Sequence, residues 1–111
     1  MRLEFIYLPV PDLDGALALY RDQLGFDELW REGSTTVGLA IAGSETALMV
    51  DAAPAPGSAP GPMFSVDRVD DWLAGRELDL VLEPFDIPGG RIASFRDAAG
   101  NHIYVMDQST A

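Results

Sequence analysis

Apolar and polar positions along the chain fall into two sets of the same order. Leu3 to Val10, LEFIYLPV, has the composition of a strand, and Pro9 and Pro11 close it because proline cannot donate to a ladder. Asp12 stands as an N-cap, with Asp14 in the first turn. Leu13, Ala16, Leu17, Tyr20 and Leu24 then recur at helical spacing as one apolar stripe that Gly25 ends. Three strand-like pieces follow: Phe26 to Arg31, Thr35 to Ile41 and Glu45 to Val50, with turns at Glu32-Gly33-Ser34 and Ala42-Gly43-Ser44.

Asp51 to Gly61, DAAPAPGSAPG, is too rich in Pro, Gly and Ala to pack and reads as a linker. After it the pattern restarts. Pro62 to Val66 is a short strand, Asp67 caps a short helix with Val69, Trp72 and Leu73 on one face, and Leu78 to Phe85, Arg91 to Arg96 and His102 to Met106 are strand-like. The turns fall at Pro88-Gly89-Gly90 and at residues 98–101. The order is therefore β-α-β-β-β twice, and a shift of 56 residues lays VPDLDGAL from Val10 over VDRVDDWL from Val66. The fold class expected is α+β, one domain of two modules, residues 1–50 and 62–111, joined by the linker 51–61. Each four-stranded mixed sheet would cover one face with its helix and leave the other face in need of a partner, so that the two together line a cup.

Composition bounds the function. The 111 residues suit a single domain, and the 48% apolar content is that of a globular chain. No apolar run reaches the length of a membrane span, and the start turns acidic too early for a signal peptide, so the expectation is cytoplasmic with no membrane partner. A net charge of −11 repels phosphate and speaks against nucleic acid; it suits solubility, and it would also attract a cationic ligand. With no cysteine there is no disulfide, thiolate nucleophile or thiolate metal site. One histidine and no nucleophile motif exclude a serine-type triad, and Gly89-Gly90 lacks the following helix of a phosphate loop.

Two segments carry a family resemblance. VPDLDGALALYRDQLGF, from Val10 to Phe26, and FRDAAGNHIYV, from Phe95 to Val105, resemble the first-helix and final-hairpin signatures of the vicinal-oxygen-chelate superfamily, the glyoxalase, bleomycin-resistance and dioxygenase group. The duplicated order extends the likeness over essentially the whole chain. Members of that family hold a divalent metal on His and Glu side chains from the first and last strands of each half. Carried over residue by residue, those positions fall on Phe5, Leu48, Gly61 and Tyr104. None supplies a ligand except Tyr104 as a phenolate, which is unfavourable near neutral pH, and a slip of one residue gives Glu4, Met49, Pro62 or Ile103. No metal, no other cofactor and no catalytic residue is expected.

Strand parity sends Phe5, Tyr7, Met63, Ser65 and Tyr104 to the cup, with Leu48 and Phe95 placed there by hairpin pairing and Trp30 joining them. These eight form the expected ligand-binding set, suited to a flat or aromatic molecule. Equally, they would fill a closed core. His102 shares the parity of the cup beside the last turn, Asp86 with Glu83 offers a carboxylate at the rim, and Arg96 finds a surface partner in Asp97 or Glu77. The resemblance implies a metal-independent small-molecule-binding protein, antibiotic-like in its ligand, working as a homodimer. The alternatives are an enzyme of the family (lyase, isomerase or dioxygenase) with a displaced or absent metal site, using Tyr104, Tyr7 or His102 for proton transfer, and an interaction module with no pocket.

Overall fold

The computed structural model describes residues 1–110. The elements are β1 (Arg2–Pro9), α1 (Leu13–Leu17) continuing as a π-helical segment (Ala18–Gln23), β2 (Asp27–Glu32), β3 (Thr36–Ala40), β4 (Ala47–Asp51), β5 (Gly61–Ser65), α2 (Val69–Leu73), β6 (Asp79–Ile87), β7 (Gly90–Arg96) and β8 (His102–Met106). This is the α+β order read twice from the sequence. The chain forms two compact units, Phe5–Pro60, and Gly61–Ala111 joined by Met1–Glu4. Two expected edges move. Asp51 is the last residue of β4 and Gly61 the first of β5, so the linker is shorter than the Pro-rich run suggested.

In the first unit the strand order is β2-β3-β4-β1, with β1 and β4 parallel and the rest antiparallel. Leu13 and Leu17 of α1 pack on Val37, Leu39, Leu48 and Val50, with Ile6, Leu8 and Val10 beside them. Asp12 caps α1 as expected, its Oδ2 accepting from the Gly15 N–H at 3.1 Å. The second half of the stripe behaves differently. Leu24 N–H bonds the Leu19 carbonyl, five residues back, at 2.9 Å. That wider turn takes Leu24 off the buried stripe and leaves it 54% exposed. Tyr20 stays against the core and stacks on Phe26.

In the second unit the order is β5-β8-β7-β6, with β5 and β8 parallel. Val69, Trp72 and Leu73 of α2 pack on Phe64, Val66, Ala93, Phe95, Ile103 and Val105. The cap of α2 is not Asp67. Arg68 holds the N-cap position without a side-chain bond, and the first N–H of the helix, Val69, is taken at 2.8 Å by Asp107, just past β8. Asp107 is buried and also accepts from Arg91 N–H at 2.9 Å and from the Ser109 hydroxyl at 2.8 Å. Burial pushes its pKa up, but the bonds from Val69, Ser109 and Arg91 outweigh that and hold it below the usual carboxylate value. Gly90 leaves room for this residue: a Cβ there would stand 2.0 Å from the Asp107 carbonyl oxygen.

Candidate ligand-binding faces

Each unit covers one sheet face with its helix, and alternation fixes what lies on the other. In the first unit Ile6, Leu8, Val37, Leu39, Leu48 and Val50 belong to the helix side. The helix-free face therefore carries Phe5 and Tyr7 of β1, Thr36 and Gly38 of β3, and Met49 and Asp51 of β4. Trp30 of β2 stands opposite Gly38, and its ring lies over that glycine so closely that a Cβ would sit 2.3 Å from it. Phe5 meets the same indole edge-on, with ring centroids 5.9 Å apart.

Beyond the rings is a polar cluster. Tyr7 O–H donates to Asp51 Oδ2 at 2.5 Å, and Thr36 O–H to Asp51 Oδ1 at 3.2 Å. The Ala53 N–H completes it, reaching Oδ1 at 3.0 Å. Tyr7 is buried, whereas Trp30, Met49 and Asp51 are half-buried.

The helix-free face of the second unit carries Gly61, Met63, Ser65, Ser94, Tyr104 and Met106. Met63, Ser94 and Tyr104 lie side by side across β5, β8 and β7. Ser94 is fully buried, and its hydroxyl has no hydrogen-bond partner. Ser65 donates to Glu4 at 3.4 Å.

Of the expected ligand-binding residues, Phe5, Tyr7 and Trp30 come together in the first unit, and Met63, Ser65 and Tyr104 share a face in the second. Leu48 and Phe95 do not join them. Leu48 faces α1, and Phe95 packs on α2 with its ring stacked on Trp72 at 5.9 Å. Two register details account for this. Phe95 is paired with Ile103, and it is Ser94 that stands opposite Tyr104. Tyr7 is paired with Met49 as Met63 is with Tyr104, so Met49 is the counterpart of Tyr104. The turn between β3 and β4 is one residue longer than that between β7 and β8, which breaks the 56-residue shift at this hairpin. Asp51, Gly38, Thr36 and Ser94 escaped the sequence reading. For Asp51 the signal was available: period-two continuation from Met49 carries it onto this face.

The remaining candidates are held elsewhere. Asp86 pairs with Arg91 at 2.7 Å, and Arg96 with Asp79 at 3.1 Å. His102 stands opposite Arg96, with a buried Nδ1 that has no hydrogen-bond partner.

A family model described as "Glyoxalase/Bleomycin resistance protein/Dioxygenase superfamily" matches residues 2–105. The chain belongs to this superfamily. Solved structures agree in fold. An NAD-dependent benzaldehyde dehydrogenase from Legionella pneumophila has 12% identity and a TM-score of 0.75, covering 94% of this chain and 97% of that one. A Streptomyces coelicolor methylmalonyl-CoA epimerase variant in complex with 2-nitronate-propionyl-CoA has 18% identity and a TM-score of 0.74, covering 98% of both chains. A methylmalonyl-CoA epimerase from Mycobacterium tuberculosis has 24% identity and a TM-score of 0.65, covering 96% and 87%. No curated protein matches the chain.

Membership in the glyoxalase/bleomycin-resistance superfamily makes the metal positions a question of fit. With the register corrected they are Phe5, Met49, Gly61 and Tyr104, which offer two apolar side chains, no side chain and one phenol. Gly61 is closed to any ligand side chain, because a Cβ there would stand 2.1 Å from the His102 carbonyl oxygen. Among the described residues no three His, Cys, Asp or Glu side chains are grouped to hold an ion. The residues present do not fit the metal of the superfamily.

Proposed function

We propose that this superfamily member binds a small, flat organic molecule on its helix-free sheet faces, without a metal. The observation that carries the reading is half-buried Trp30, laid over Gly38 and braced edge-on by buried Phe5: an aromatic pair on the sheet face opposite the helix. Tyr7 supplies a hydroxyl beside that pair, and antibiotic-like aromatics are the proposed chemical class; of Met63, Ser65 and Tyr104 on the second unit's own helix-free face, Ser65 is the part-exposed one and the other two are buried. From the resemblance we add a homodimer in the cytoplasm; the charge of −11 supports the absence of a nucleic-acid partner. No helix among the described residues is long and apolar enough to cross a membrane.

A thermal-shift screen with aromatic compounds, run with and without EDTA, tests the reading. Binding raises Tm by mass action, and we expect the rise to survive the chelator. Trp30→Ala should weaken the responding compound about tenfold, the scale of losing an aromatic contact with its buried area. A screen in which no aromatic class stabilises the wild type contradicts the proposal.

A second reading, enzyme catalysis without the metal, is favoured by the Tyr7–Asp51–Thr36 cluster, a phenol held against a carboxylate as proton-transfer chemistry requires. The neighbours called methylmalonyl-CoA epimerases are enzymes by name. Turnover that survives chelation and is lost in Tyr7→Phe would establish it.

A further inference from the structure

We draw no further inference here: the strongest candidate, the pair of buried polar atoms without hydrogen-bond partners, Ser94 Oγ and His102 Nδ1, on either side of Tyr104 on the second unit's helix-free sheet face, belongs to the ligand-binding face already described.

Discussion

At the scale of single residues, close approaches decide what each position of the superfamily fold is able to do here. Gly61 occupies a place where relatives are expected to carry a metal ligand, yet its missing side chain is what lets β5 lie against the His102 backbone. We therefore expect Gly61→Ala to destabilise the protein by roughly 1–3 kcal/mol, the range for overpacking a rigid contact, and to lower the urea midpoint correspondingly. An unchanged midpoint would show that the strands part freely there. The residue-level reading of the site was partly legible in the sequence. Alternation placed Phe5, Tyr7, Met63 and Tyr104 on their face because each sits within a regular strand. It misplaced Leu48 and Phe95 because their placement relied on counting through hairpins, and a one-residue difference in turn length reverses a side chain.

At the scale of elements, long-range bonds do what local signals were expected to do. Asp67 had the right residue type and spacing to cap α2, but the helix takes its cap from Asp107, 38 positions away in sequence. No local pattern announces such a bond. Asp107 ties α2, β7 and the segment after β8 together, so Asp107→Ala should cost about 3 kcal/mol by removing a charged acceptor from buried donors. Calorimetry would show this as a fall in Tm of order 10 °C. The pH dependence has a definite sign. Because the folded carboxylate has a lowered pKa, its contribution is fully present above the ordinary value near 3.9 and is lost as pH falls through the folded value. The stability gap between wild type and Asp107→Ala should thus be constant near neutral pH and shrink below about pH 4. A gap that widens in acid would mean that the hydrogen bonds do not outweigh burial.

At the scale of the whole molecule, the repeat and the two signatures were enough to read the fold, because both modules keep one order of elements and each helix keeps an apolar stripe. The edges of the linker were less legible. Asp51 and Gly61 look like loop residues by type, but β4 and β5 claim them through pairing with β3 and β8 and through the contacts described above. The shared fold does not carry its cofactor chemistry with it: function on a common scaffold belongs to the side chains of the site. Here those side chains are Phe5, Met49, Tyr104 and a glycine where a metal would need carboxylates and imidazoles. Elemental analysis of the full chain, purified without chelator, tests this claim most directly. The account predicts zinc, nickel, cobalt, manganese and iron far below stoichiometry. A divalent ion bound in stoichiometric amount would contradict it.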